Sequence, residues 1–198
     1  MIGGIAVYME GGGDTQETKA RLRQGMSQFL SPIREAGQRA VSFRVIACGG
    51  RKEAYDGFRD ALIKHPDRLS VLLVDSEGLI APTDSPWAYL RARPGDGWSC
   101  PPGADDARCH LMVVCMEAWF LADPTALQEH FRHNFDSGSL PDPSLAETRT
   151  KDVIHDALQR AVRNTAARKY RKIRDGAKLL ALLDPGNVRQ HCKWCDRL

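Results

Sequence analysis

Four acidic residues of the sequence share one position, directly after a short apolar run: Glu10, Asp75, Glu77 and Glu117. Asp75 and Glu77 are two residues apart in a segment expected to be extended, so their side chains emerge on the same side and can share one cation. Clustered carboxylates repel each other unless a hard cation neutralises them, and an all-oxygen ligand set suits Mg2+ or Mn2+ better than zinc. The acids therefore predict a divalent metal site with Glu10, Asp75 and Glu77 at its core.

Strands and helices must alternate along the chain to bring these acids together. Apolar runs of strand length predict four strands, at residues 5–9, 41–48, 69–74 and 111–116. Helical spacing predicts helices at residues 14–37, 53–64, 118–122, 125–131, 151–165 and 177–183. The third apolar run, LSVLLV, is apolar on both faces, as a central parallel strand should be. The order predicts an α/β, Rossmann-like fold with a central, mostly parallel sheet, in which ligands collect at the carboxyl ends of the strands.

Two further acids have a simpler structural explanation. Asp14 with Glu17 three residues later resembles a capping box. Asp123 before Pro124 matches an N-cap followed by proline at the first helical position. We therefore expect Asp14 and Asp123 at helix starts and not in the metal site.

Two irregular segments and a cysteine cluster complete the pattern. Residues 79–109 are rich in proline, glycine and aspartate and are expected to form a long functional loop, and residues 134–148 a polar linker. The six cysteines follow no disulfide framework and are expected to be reduced thiols. His191, Cys192 and Cys195 could be half of a zinc site or a redox pair, but no second CxxC exists, so we expect a surface tail.

Charge and hydropathy restrict the classes of partner. A run of about 18 apolar residues, the length needed to cross a membrane, is absent, and the N-terminus lacks the features of a signal peptide. We therefore expect a soluble, cytoplasmic protein without membrane contact. The net charge is only +3, but residues 149–178 hold ten Lys or Arg against three Asp. Such a segment beside an acidic site is typical of a protein that handles a polyanion, and a solvated helix face is the alternative.

Two motifs together resemble the TOPRIM fold over roughly residues 3–130. One is a lone glutamate that ends a first strand, in YMEG, and the other is an acid-x-acid pair that ends a later strand, in VDSE. That fold is shared by topoisomerases, DnaG-type primases, small RNA-maturing nucleases and the OLD-type nucleases of phage defence. The segments VYMEGGGD, ACGGRKEAY, LLVDSEG, MEAWFLAD and KYRKIRDGAKLL also resemble a bacterial domain-of-unknown-function family often encoded beside an ABC-type ATPase. The resemblance implies a TOPRIM-like domain at residues 1–133 and a linker with a basic helical extension at residues 134–198.

Metal-assisted hydrolysis of a phosphodiester is the activity that the resemblance implies. Glu10 would act as general acid or base, and Asp75 and Glu77 would hold Mg2+ or Mn2+ where TOPRIM proteins have Asp-x-Asp. Glu117 would be a further metal ligand or an organiser of the site. The nucleic-acid backbone would be held by Arg51, Lys169, Arg171, Lys172 and Arg174, although Arg51 could equally be an exposed loop residue.

The implied partners are DNA or RNA, an ABC-type or AAA ATPase encoded alongside, and further copies of the chain in a homo-oligomer. The chain would then be the effector nuclease of a two-component ATPase-nuclease system of phage defence. Two other functions stay open. One is a non-catalytic regulatory or toxin-like subunit of the ATPase, and the other is a phosphotransferase or phosphatase acting on small nucleotides.

Overall fold

Four parallel strands form the centre of the fold in a computed structural model that describes residues 3–36 and 42–198. The strands are β1 (Gly4–Met9), β2 (Ser42–Ala47), β3 (Arg68–Asp75) and β4 (Cys109–Met112). Their order in the sheet is β2-β1-β3-β4, and each neighbouring pair is parallel. The predicted α/β fold with a central parallel sheet is therefore confirmed.

Ten α-helices surround the sheet in the described part of the chain. They are α1 (Gln16–Phe29), α2 (Ser31–Ala36), α3 (Arg51–Lys64), α4 (Pro86–Ala92), α5 (Glu117–Ala122), α6 (Pro124–Phe131), α7 (Lys151–Val162), α8 (Lys172–Leu182), α9 (Pro185–His191) and α10 (Lys193–Asp196). Short 3-10 turns lie at Asp106–Arg108, Ser137–Ser139 and Pro143–Thr148. Within these residues no helix is long and apolar enough to cross a membrane.

Side chains alternate between the two faces of the sheet, as strand geometry requires. Met9 and Leu73 belong to the core cluster under α1 and the C-terminal helices, where Phe29 stacks on Trp119 at 5.1 Å. Leu72 instead belongs to a second cluster, which packs against α3 and α4. Because both faces are covered, strand β3 is buried throughout its second half, which explains its continuous apolar run.

Helix α8 lies directly against α1, and Gly25 makes this close contact possible. A Cβ atom at Gly25 would collide with the backbone carbonyl of Ala177 on α8. The contact between α1 and α8 extends along much of both helices. It brings the N-terminal end of α8, beginning at Lys172, to the carboxyl edge of the sheet.

Several predicted boundaries of the first half were wrong. Strand β4 ends at Met112 and not at residue 116, because residues 113–116 stay buried but leave the strand geometry to reach α5. The predicted loop 79–109 contains α4, which Ser85 caps through the backbone N–H of Ala88. The predicted helix 14–37 is divided at residue 30 into α1 and α2, and its last residue lies outside the described residues, as does residue 41 of the second predicted strand.

The two residues predicted to cap helices, Asp14 and Asp123, have different roles in the structure. Thr15, and not Asp14, caps α1 by accepting a hydrogen bond from the backbone of Thr18 at 3.2 Å. Asp123 does stand at the start of α6, but its carboxylate accepts the backbone N–H of Asp184 at 2.9 Å. Asp123 therefore ties α6 to the turn before α9, which a sequence pattern of adjacent residues does not reveal.

Helix starts and packing near the C-terminus also differ from the prediction. Helix α8 begins at Lys172, five residues before its predicted start, because Asp175 accepts the backbone N–H of Arg171 at 2.8 Å and stabilises this first turn. The expected surface tail is instead buried: Cys192 and Cys195 lie in the core with their thiols free. Burial raises the pKa of Cys195 to about 12, which makes it a packing residue rather than a reactive thiol.

Candidate metal centre

Three of the predicted acids meet at the carboxyl edge of the sheet. Glu10 directly follows β1, Asp75 is the last residue of β3, and Glu77 lies two residues further on. One carboxylate oxygen from each residue lies within 4.8 Å of the other two. Glu77 has a left-handed backbone with φ of 63°, so the chain turns sharply where the strand ends. We call this group the acid triad.

A cavity of about 130 Å3 is lined by two members of the acid triad, Glu10 and Asp75. Its lining also includes Gly11, Gly12 and Gly13, from the loop after β1, and Lys172 of α8. The three glycines have φ angles of 110°, 93° and 63°, in a backbone region that residues other than glycine rarely adopt. The conformation of this loop beside Glu10 therefore depends on glycine.

Asp75 is the most buried member of the triad, with 3% of its surface exposed. Its Oδ1 accepts a hydrogen bond from the backbone N–H of Met116 at 2.9 Å, which fixes the carboxylate. Burial raises the pKa of Asp75 to about 7, although the ammonium group of Lys172 acts in the opposite direction. A divalent cation at this carboxylate would compete with the proton.

Arg51, the first residue of α3, holds Glu10 in place. Its Nη1 donates to Glu10 Oε2 at 3.1 Å and also to the backbone carbonyl of Asp75. Its Nε and Nη2 donate to both carboxylate oxygens of Asp96, at 2.8 and 2.7 Å, and its guanidinium lies over the ring of Trp98 at 5.0 Å. Arg51 is thus half-buried and fixed by four neighbours, rather than an exposed loop residue.

Two lysines from the helices contact the acids from the other side. Lys151 Nζ, at the start of α7, donates to both carboxylate oxygens of Glu77 at 2.8 and 2.7 Å. Lys172 Nζ lies 3.5 Å from Asp75 Oδ2 and 3.4 Å from Glu117 Oε2. Burial would lower the pKa of Lys172, but the charges of Asp75 and Glu117 raise it, so this ammonium stays protonated.

Glu117 is the first residue of α5, is fully buried, and is connected to the triad through Lys172. Its Oε1 accepts a hydrogen bond from the hydroxyl of Tyr170 at 3.0 Å. Burial alone would raise the pKa of Glu117, but His155 and Lys172 lower it to about 2. Glu117 is therefore ionised, and its carboxylate is not one of the three that lie within 4.8 Å of one another.

The predicted basic residues are divided between different roles. Lys169 and Arg171 are exposed, whereas Arg174 Nε and Nη2 donate to the Asp175 carboxylate at 2.8 and 2.9 Å. Lys172 points into the acidic site instead of outward. Lys169 and Arg171 are thus the two whose charge is directed to solvent.

Sequence reasoning missed Asp96, Lys151, His155 and Tyr170 as residues around the site. Lys151 and His155 are four residues apart and therefore lie on one face of α7, a spacing that the sequence does contain. Asp96 carries no comparable signal, because it lies in an irregular segment 45 positions from Arg51.

Comparison with known proteins identifies a family without an assigned activity. Neither the curated proteins nor the solved structures contain a significant match to this chain. The model of the family "Domain of unknown function (DUF4276)" matches residues 9–198, which include the whole acid triad and all helices described above. The chain therefore belongs to the DUF4276 family.

Proposed function

We propose that this protein is a metal-dependent nuclease of the TOPRIM type, which hydrolyses phosphodiester bonds of DNA or RNA with Mg2+ or Mn2+. The observation that carries the proposal is the acid triad, in which carboxylates from the ends of two adjacent parallel strands come within 4.8 Å of one another. The donor set is entirely oxygen, which fits a hard divalent cation. The strand ends fix its geometry, as catalysis requires.

Each residue around the triad has a distinct task in this reaction. The bound cation would lower the pKa of a water molecule and offset charge on the leaving oxygen. Glu10, which Arg51 contacts at 3.1 Å, would accept the proton of the attacking water. Lys172, which lines the cavity, would offset the negative charge of the phosphate. The exposed Lys169 and Arg171, just before α8, would contact the nucleic-acid backbone.

Cleavage of plasmid DNA and of RNA with Mg2+ or Mn2+ tests this proposal. We expect cleavage that EDTA abolishes and that Asp75→Asn reduces on the order of 1000-fold, because the central carboxylate is lost. Glu129→Gln is the matched control, since Glu129 is exposed on α6. Cleavage that resists EDTA, or that is equal in the wild-type and Asp75→Asn proteins, would refute the proposal.

We also propose that an ABC-type ATPase gates this activity, as expected of an effector in phage defence. The supporting observation is that every acid of the triad already contacts a cation of its own chain: Arg51 at Glu10, Lys172 at Asp75, and Lys151 at Glu77. A partner that moves α7 and α8 would free the carboxylates for metal and phosphate. Addition of the ATPase with ATP should then increase the cleavage rate.

A non-catalytic regulatory subunit is the second candidate, and the same ion pairs favour it. If the acids serve only to anchor α7 and α8, the protein binds the ATPase without cleaving nucleic acid. In that case Asp75→Asn would leave the activity of the complex in cells unchanged. Loss of the cellular activity in Asp75→Asn, with ATPase binding retained, would support the nuclease and exclude this candidate.

A further inference from the structure

A second group of metal-compatible side chains lies behind the acid triad. Cys115 precedes α5, Glu117 begins it, and His155 lies on α7. A sulfur, a carboxylate oxygen and an imidazole nitrogen from these residues lie within 4.8 Å of one another. Cys115 and Glu117 are fully buried. The three residues come from two distant segments, so only the folded chain forms this group.

His155 has a ring nitrogen that lacks a hydrogen-bond partner in the described part of the chain. Its Nε2 atom is buried and makes no hydrogen bond to any described residue. The nearest carboxylate oxygen, Glu117 Oε1, is 3.8 Å away, which is too far for a hydrogen bond. A buried polar atom without a partner is costly, so native proteins nearly always satisfy it. An ion between His155 and Glu117 would satisfy this nitrogen.

The donor atoms indicate which ion would bind. A combination of thiolate, imidazole and carboxylate ligands is typical of zinc and similar borderline ions, whereas Mg2+ prefers oxygen ligands alone. Around zinc, with bonds of roughly 2.0 to 2.3 Å, ligand atoms lie roughly 3.3 to 3.7 Å apart. The observed 3.8 Å between His155 Nε2 and Glu117 Oε1 is close to this separation.

We propose that Cys115, Glu117 and His155 form a second metal centre, for Zn2+ or a similar borderline divalent ion, separate from the all-oxygen triad. Three protein ligands leave a fourth position open, which is the arrangement of catalytic rather than closed structural zinc sites. Binding converts the Cys115 thiol to a thiolate, and its proton passes to solvent.

Glu117 keeps the contacts it already has when the ion binds. Its Oε2 faces Lys172 and its Oε1 accepts from Tyr170, but each carboxylate oxygen has two lone pairs. Lys172 therefore stands between the two centres and separates their charges. The ion would also fix α7 to the segment before α5, and thereby position Lys151 at Glu77.

Titration of the metal-stripped full chain with Co2+, followed by absorption spectroscopy, tests this centre directly. We expect one equivalent of Co2+ to produce a thiolate-to-cobalt charge-transfer band, and Zn2+ to remove it by displacement. Cys115→Ser should abolish the band, and His155→Gln should weaken binding about tenfold or more. His155 is only half-buried, so His155→Gln keeps the test valid if Cys115→Ser does not fold.

Two variants serve as controls. Cys109→Ser, at a cysteine equally buried in the other core cluster, and Glu77→Gln, in the acid triad, should both retain the band. Absence of the band in the wild type, or its persistence in Cys115→Ser and His155→Gln, would overturn the inference. The measurement uses no nucleic acid, so failure of the proposed nuclease activity would leave its result unaffected.

Discussion

The two sides of the acid triad are built differently. On one side, which we call the arginine flank, Arg51 makes paired hydrogen bonds to Asp96 and lies over Trp98. On the other side, the lysine flank, Lys151 and Lys172 contact the acids only through flexible side chains, and the Lys172 contacts are 3.4 Å or longer. The difference indicates that the arginine flank fixes Glu10, whereas we expect the lysine flank to move away from the acids when a metal binds.

Asp75 is the residue common to both flanks, and its replacement should have the largest effect. In Asp75→Asn we expect cleavage to fall on the order of 1000-fold, because the amide holds a cation poorly. The fold should survive, since the amide can still accept the hydrogen bond from Met116. Cleavage assays together with circular dichroism measure both quantities. A variant that is folded and fully active would contradict the role of Asp75.

Arg51→Lys tests the rigidity of the arginine flank. Lysine keeps the charge but loses the planar pair of hydrogen bonds to Asp96, so Glu10 is no longer fixed. We expect cleavage to fall about 10- to 100-fold, the usual loss when a residue that orients a metal ligand is changed. Arg59→Lys, at an exposed position of α3, is the control and should retain activity. Equal activity of both variants would show that the arginine flank need not be rigid.

The pH dependence of metal binding tests the burial of Asp75. Because its pKa is about 7, the affinity for Mn2+ should fall about tenfold for each pH unit below 7 and level off above about pH 8. Calorimetric titrations across this range measure the affinity. An affinity that stays constant from about pH 5.5 to 8 would show that Asp75 is not the protonated ligand.

The same pKa shift affects the stability of the metal-free protein. Folding raises the pKa of Asp75 from 3.8 to about 7, so the folded state favours the protonated form. Its contribution to stability is complete below pH 3.8 and is lost as the pH rises through 7. The Tm of the metal-free wild type should therefore decrease toward pH 8 more than that of Asp75→Asn. Parallel Tm profiles would refute this assignment.

Substitutions in the lysine flank should have the smallest effects. Lys172→Met should lower the free energy of unfolding by about 1 to 2 kcal/mol, between the values for exposed and buried ion pairs, since Lys172 is 40% exposed. Lys151→Met should lower the free energy of unfolding by a smaller amount, because the Glu77 side chain is more exposed than that of Glu117. Urea unfolding measures both. A larger loss for Lys151→Met would reverse the order of the two lysines.

The sequence predicted the acid triad but not its partners, for a physical reason. Glu10, Asp75 and Glu77 lie at the ends of apolar strands or within two residues of them. Parallel strands bring their ends to a common edge, so the local pattern was sufficient. The cation at Glu77 is Lys151, 74 positions away, and this contact depends on how α7 packs. The end of β4 was predicted four residues too late, because residues 113–116 are buried but do not form a strand. An apolar run indicates burial, and it does not by itself distinguish a strand from another buried segment.

The most direct test of the shared metal site is the stoichiometry of Mn2+ binding, measured by electron paramagnetic resonance at about pH 8. Glu129→Gln should bind one equivalent with wild-type affinity, whereas Glu10→Gln, Asp75→Asn and Glu77→Gln should each bind markedly less. Undiminished Mn2+ binding in all three triad variants, or no binding by the wild type, would contradict the proposal that Glu10, Asp75 and Glu77 hold a divalent ion together.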